Sequence, residues 1–454
     1  MQYTWSSRGV TLAAVVSTMA LGLAACSAPA STPTPPPAAQ TPSSTPTPEK
    51  ISGDIQLWHF WTDREATVIQ AAVDNFTKLY PDIKVTVKSG QDDDKTSQAI
   101  SAGQPVDVAI SGSSDQVGPM CSSGAFLDLA QYIQRDNVDL GDIPSVVQSY
   151  TQFNGVRCTL PLLSDTYALY YNKGEFAKAG ITDPPKTLDE LTADAVKLTT
   201  YNSDGSIKQL GFMPLMDYYE TSEPHLAVAT QAKWLNDDGT SAIGTDPGWP
   251  MLYNWQKDLI DKLGGYAKLA KWQSAGNDEW SAQNDFETGR LAMEVDGEFR
   301  TAFFAADKSK VDYGTAPLPM AADQTDKYGA GYITGNIIGI GKGSKNPEAA
   351  WQLVKYLALN TDAQVQMGNG LKNVPTLTSA QQSPSLEIPA GYQVFLDVFA
   401  HPNTQTTPPS SIGGEYQSLL AQFSAQWASG KQTDLVAGLK AVDDQINAKV
   451  ELSG

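Results

Sequence analysis

Between residues 51 and 110 the apolar pattern switches repeatedly between a period of two and a helical period, and this restricts the fold more than any other feature. Ile55, Leu57 and His59 share one face of a strand over 51–60. Thr62-Asp63-Arg64-Glu65 then reads as a capping box, and Ile69, Val73, Phe76 and Leu79 recur at helical spacing until Pro81 ends the helix. Ile83, Val85 and Val87 alternate as a second strand. A short helix over 96–102 precedes a third, carried by Val106, Val108 and Ile110. Strand–helix–strand–helix–strand order predicts a parallel sheet with right-handed crossovers.

A second series begins after Pro161. Residues 168–171 make a short strand, and Thr187-Leu188-Asp189-Glu190 is another capping box, leading to a helical face of Leu191, Ala195 and Leu198. Leu291, Met293 and Val295 alternate up to Asp296-Gly297, and 333–340 is again β-rich. Asn346-Pro347-Glu348 opens a helix whose inner face carries Trp351, Val354 and Leu357. The C-terminal part is mostly helical, with Tyr416, Leu420 and Phe423 on one face and Leu439, Val442 and Ile446 on the next. Roughly 400 residues exceed what one hydrophobic core usually serves. The expected fold class is therefore α/β with two lobes, each a mainly parallel sheet flanked by helices.

The N-terminus reads as an address. Arg8 precedes an apolar run over 10–21, too short to span a bilayer, and Leu23-Ala24-Ala25-Cys26 resembles the lipobox cut by bacterial lipoprotein signal peptidase. Residues 1–25 would be removed and Cys26 would carry the lipid. The Pro/Thr/Ser tract to residue 50 has no apolar period and would be an extended tether. The remaining cysteines, Cys121 and Cys158, would pair in an exported chain. A net charge of -19 repels a phosphate backbone and excludes nucleic-acid binding. His59, His225 and His401 lack zinc-ligand spacing, so neither a metal nor a cofactor is expected.

Ligands of open α/β sheets bind beyond the carboxyl ends of the strands. That rule selects Trp61, Thr62 and Asp63, then Ser111, Ser113 and Asp115, and then Asp296, Glu298 and Phe299, with Arg300 following. Aromatic rings join carboxylates again at Asp165 and Tyr167, at Asp217 and Tyr218 in the 216–220 segment, and at Trp280. Such mixtures suit a sugar, whose hydroxyls meet carboxylates and amides while rings cover its C–H faces. No Gly-x-Ser-x-Gly elbow, P-loop or dinucleotide fingerprint occurs, and no catalytic residue is assigned. Asp296 and Glu298 would suit a secreted glycoside hydrolase, although acidic residues serve sugar recognition equally well.

Several passages, in order, resemble the bacterial family 1 extracellular solute-binding proteins, the maltose-binding-like group that serves ABC sugar importers. They are Tyr170-Tyr171-Asn172-Lys173 with Phe176, Ala179-Gly180 and Pro184-Pro185-Lys186-Thr187; Phe286-Glu287-Thr288-Gly289-Arg290-Leu291-Ala292-Met293 through Gly297; Gly314-Thr315-Ala316-Pro317-Leu318-Pro319; and Ser344 through Trp351. The resemblance implies one lobe from 51–162 plus 332–376 and another from 163–331 plus 377–454, hinged at crossings near 161–166, 328–334 and 374–380. It adds Tyr332 and Tyr416 to the expected ligand contacts. Leu188 replaces the family's usual tryptophan, and Ser111 and Phe299 depart from its usual aromatics, which weighs against a malto-oligosaccharide preference in particular. The implied protein is a monomeric, non-enzymatic lipoprotein on the outer face of the cytoplasmic membrane, whose partners are a sugar and an ABC permease. A polyol or peptide ligand is the alternative.

Overall fold

The structure, a computed structural model, describes residues 51–453. The signal-like segment, Cys26 and the Pro/Thr/Ser tract lie outside the described residues. The strands are β1 (Gly53–His59), β2 (Ile83–Lys88), β3 (Val108–Ser111), β4 (Thr159–Asn172), β5 (Thr200–Tyr201), β6 (Ile207–Phe212), β7 (Leu291–Gly297), β8 (Tyr313–Ala316), β9 (Ile333–Ile340) and β10 (Val374–Pro375). They are ordered β2-β1-β3-β9-β4-β7-β6-β5, with β8 and β10 also on β4.

The first lobe forms as its periodicity predicts. Ile55 and Leu57 of β1 pack with Ile69, Val73 and Phe76 of the helix Asp63–Leu79 and with Trp351, Val354 and Leu357 of the helix Pro347–Leu359. Trp58, on the opposite face of β1, enters a second core with Val117, Met120 and Tyr150. The sheet is thus covered on both sides, which is why its central strands β3 and β9 are buried almost throughout. That second core runs on into the other lobe, where Leu191, Ala195 and Leu198 of the helix Leu188–Leu198 pack on Leu210 and Phe212.

The two-lobed α/β architecture holds, but the sheets are mixed where mainly parallel ones were expected. Only the β1–β2, β1–β3 and β6–β7 pairings are parallel. The antiparallel pairings centre on β4 and β9. The chain leaves the first lobe on β4 and returns on β9, so two neighbouring connectors must run in opposite directions. The short strand expected at 168–171 is accordingly the distal half of a 14-residue strand.

β4 changes partners along its length. Up to Thr166 it pairs with β9, and from Tyr167 to Tyr171 it pairs with β7. A register shift between Pro161 and Ser164 marks a bulge just before the switch, where proline has no N–H to give the ladder. β10 pairs with Leu163 and Ser164 from the other side.

Of the two expected capping boxes, one forms. Thr187 Oγ1 accepts from Glu190 N at 3.1 Å, and Glu190 Oε2 accepts from Thr187 N at 3.1 Å. At the other, Thr62 Oγ1 instead donates to Asp63 Oδ2 at 3.1 Å, and Asp63 takes a left-handed φ of 47°. Glu65 is left free to face the seam between the lobes.

Cys121 and Cys158 are joined, tying the helix Val117–Ser122 to the start of β4. Gly118 in this helix sits so close to the 404–412 segment that a Cβ would lie 1.7 Å from the Ser410 carbonyl oxygen. The disulfide closes a loop with a sequence separation of 37. Replacing both cysteines by serine should lower stability by about 2–4 kcal/mol. Denaturant midpoints with and without the bond would measure this, and coincident midpoints would contradict it.

Candidate functional site

Where the sheets meet, the carboxyl ends of β1, β3 and β7 face the crossing part of β4 across a cavity of about 240 Å³. Just past β1, Phe60 and Trp61 form one aromatic wall, with ring centroids 4.3 Å apart. Gly112, just past β3, allows this, because a Cβ there would meet the Phe60 ring at 3.3 Å. The facing wall is Trp280 stacked on Phe299 at 5.7 Å, with Phe303 one helical turn further on and 6.0 Å from Trp280. Phe299 folds back over Gly297, where any Cβ would come within 2.2 Å of its ring. Trp280 remains 52% exposed, an uncommon placement for so large an apolar ring. Tyr167 forms the floor and stacks on His225 at 3.8 Å.

The polar lining is acidic. Asp165 sits where β4 crosses and accepts a hydrogen bond from Asn373 Nδ2. Burial, with the Glu65 charge beside it, pushes Asp165 up to about 7. Glu220 is pushed up to about 8, mainly by burial and then by the charges of Asp296 and Asp165. Burial also raises Glu65, partly opposed by the adjacent Arg64. Asn336 of β9 completes the lining.

Behind this wall lies a buried ionic group. Arg300 Nε donates to Asp296 Oδ2 at 2.6 Å, and Arg300 Nη2 donates to the Tyr219 hydroxyl and to the Glu279 carbonyl. Glu298 Oε2 accepts from Thr166 N at 2.6 Å, and Oε1 from Asn373 Nδ2 at 3.1 Å. Burial raises both carboxyls, Glu298 strongly. Glu298 joins the end of β7 to the crossing, Asp296 anchors Arg300 and Tyr219, and neither lines the cavity.

Of the residues expected from the sequence, Trp61, Asp165, Tyr167, Trp280 and Phe299 come together here. Thr62 and Asp63 are exposed at the start of their helix. Ser111, Ser113 and Asp115 do not line the cavity. Ser111 Oγ donates to the Ser113 carbonyl, and Asp115 Oδ1 accepts from Thr407 and from Gln417. Tyr332 hydrogen-bonds Thr407, and Tyr416 donates to the Pro408 carbonyl, so both are held against the 404–412 segment. Asp217 is exposed and Tyr218 donates to Asp285.

In the 216–220 segment it is the neighbouring Tyr219 and Glu220 that turn inward, at a left-handed φ of 46° for Tyr219. Asn336 had a visible signal, being the amide inside the apolar run 336–340. Glu65 was hidden by its capping-box spacing, and Phe303 by its ordinary helical environment. Asn373 carried no local signal.

Residues 61–364 match the family model described as bacterial extracellular solute-binding protein. The chain belongs to this family. This solute-binding protein is 24% identical over 398 residues to the maltotriose-binding protein of Pyrococcus abyssi, covering 87% of its own length and 82% of the relative. Among solved structures, mannotriose-bound CpMnBP1 superposes with a TM-score of 0.75 at 22% identity, over 87% of this chain and 99% of that one. The sugar-binding protein MalE of Xanthomonas citri gives 0.73 at 20%, over 88% and 98%. The fold is therefore that of two-lobed binding proteins.

The raised carboxyls have a consequence for stability. Asp165 and Glu220 keep protons in the folded state that the unfolded chain has released, so the stability they contribute is complete at low pH and is lost as pH rises to about 7 and about 8 respectively. His59 and His225, lowered to about 4 by burial, act in the opposite sense, but only below their ordinary value of 6.5. Between about pH 6.5 and 8 the carboxyls alone decide the sign. The melting temperature of the ligand-free protein should fall across that interval, and less steeply in Glu220→Gln. Differential scanning calorimetry would test this, a flat or rising profile being the contrary result.

Proposed function

We propose that this solute-binding protein captures a saccharide in the cavity between its lobes and delivers it, unaltered, to the permease of an ABC importer. The observation that carries this reading is the cavity lining. Flat aromatic surfaces come from both lobes, and carboxylates and amides gather at the crossing between them. Pyranose rings offer both matching surfaces, C–H faces for the indoles and phenyls and hydroxyls for the oxygens. The relative named for maltotriose and the structure solved with mannotriose support a saccharide of a few units.

Binding without catalysis fits the carboxylates. A hydrolase needs one carboxyl to protonate the leaving group and another to reach the sugar or a water. Asp296 is held by Arg300, and Glu298 by the Thr166 amide and Asn373. The lipobox-like sequence at Cys26 supports attachment to the outer face of the cytoplasmic membrane, with the domain held off by the Pro/Thr/Ser tract. Among the described residues no helix is long and apolar enough to cross a membrane.

A thermal-shift series against mono- and oligosaccharides tests the binding claim. A saccharide at about 100 times its Kd should add about 2.7 kcal/mol of stability. Trp280→Ala, at a half-exposed ring that costs little to remove, should weaken that ligand by about tenfold or more. Ligand recovered cleaved would point to hydrolysis, and no response to any saccharide would remove the carbohydrate assignment. Cys26→Ser should move the protein from the membrane fraction to the soluble fraction, and unchanged membrane retention would argue against the anchor.

A further inference from the structure

The polar lining of the cavity is dominated by carboxyls. Glu65, Asp165 and Glu220 all present carboxylates to it. Asn336, only 3% exposed, lines it as well, and its Oδ1 has no partner. No lysine or arginine lines it among the described residues.

The nearest cations are engaged elsewhere. Arg64 Nη1 donates to the Gly370 carbonyl at 2.6 Å, and its Nη2 reaches Glu65 only at 3.4 Å. Arg300 is held by Asp296, Tyr219 and the Glu279 carbonyl. His225 Nδ1 lies 3.7 Å from Glu220 Oε2, but burial keeps this imidazole neutral above about pH 4. The carboxylates therefore face one another with only partial compensation, Arg64 easing the ionisation of Glu65 and Arg300 that of Glu220. Glu65 disfavours ionisation of Asp165, and Asp165 that of Glu220 and Glu298.

A neutral sugar satisfies acceptors with its hydroxyls but does not relieve this repulsion. An ammonium group brings three donors and a full positive charge. The surrounding indole and phenyl faces also attract cations through their quadrupoles. A sugar phosphate would place its dianion against carboxylates, with no cation to receive it.

We infer that the cavity selects a saccharide bearing a protonated amine, its ammonium on the Asp165 and Glu220 carboxylates and its C–H face on the Trp280–Phe299 pair. This rests on the saccharide reading above and sharpens it. Because the amine binds the ionised carboxylates, its binding should expel protons from the protein below about pH 7, whereas a neutral saccharide should expel none.

Isothermal titration calorimetry of the purified full chain, at about pH 6.5 in buffers of differing ionisation heat, tests this with four probes: the trimer of glucosamine, the trimer of N-acetylglucosamine, maltotriose and 1,4-diaminobutane. The glucosamine trimer should bind at least about tenfold tighter than the other two trimers, with net proton release. Glu220→Gln, an isostere of the protonated acid whose folding a thermal melt would verify, should lose most of that preference while keeping whatever binding maltotriose shows. Equal or tighter binding of an uncharged trimer without proton release would overturn the amine and leave the saccharide reading intact. A Glu220→Gln protein that keeps the full preference would do the same. Diamine binding as tight as the glucosamine trimer would overturn the pyranose component, and no binding by any probe would overturn both readings.

Discussion

β4 hydrogen-bonds into two sheets with one continuous backbone, and the site depends on where it changes partners. Thr166 still pairs with Ile333 of β9, while Tyr167 already pairs with Gly297 of β7. A strand's side chains alternate in direction, so Asp165 and Tyr167 project to the same side, two residues apart across the switch. Both line the cavity. The chain thus fixes the floor of the site with an element shared by both lobes, and hangs the aromatic walls on loops that belong to one lobe each.

That arrangement requires buried charge near the crossing. An isolated buried carboxylate is expensive, and burying one is tolerable only with hydrogen-bond donors or a counter-ion. Asp296 has Arg300, and Glu298 has the Thr166 amide and Asn373. The Glu298 contacts also tie the end of β7 to β4, so a group at the seam helps hold it together. Asp165 and Glu220 are less well supplied. Asp165 has the Asn373 amide, and Glu220 has a neutral imidazole. Their stabilisation is left incomplete in the ligand-free protein, at the place where a ligand would supply it.

Much of this was legible in the sequence because it rests on local pattern. The alternation of Ile55 and Leu57 and the helical recurrence of Ile69, Val73 and Phe76 give the first lobe directly, and two cysteines in an exported chain give the disulfide. What sequence reasoning missed depends on long-range direction. The antiparallel run of β9 beside β4 follows from the chain's return between lobes, which no local period encodes. Strand-end logic found Trp61 and Phe299 because these follow β1 and β7 immediately. It also selected Ser111, Ser113 and Asp115 at the end of β3, where Ser111 bonds Ser113 and Asp115 turns toward Thr407 and Gln417. At 216–220 the right segment was found, yet a left-handed residue at Tyr219 rotated the chain and sent Glu220, not Asp217, inward. Thr62 and Glu65 had capping-box spacing, and the box failed because Thr62 bonds Asp63 instead.

The division of the walls between lobes bears on how a ligand can act at a distance. A ligand shifts a conformational equilibrium only by the difference in its affinity for the two states. Phe60, Trp61 and Glu65 belong to the first lobe, and Glu220, Trp280 and Phe299 to the second. A ligand touching both sets would bind best at one separation of the lobes and would lose the contacts of one set at any larger one. Contacts to Asp165 and Tyr167 alone would provide no such difference, because β4 is common to both lobes. For a ligand held in this way, contacts to the crossing strand would be indifferent to closure, and contacts to the split aromatic walls would make closure depend on occupancy.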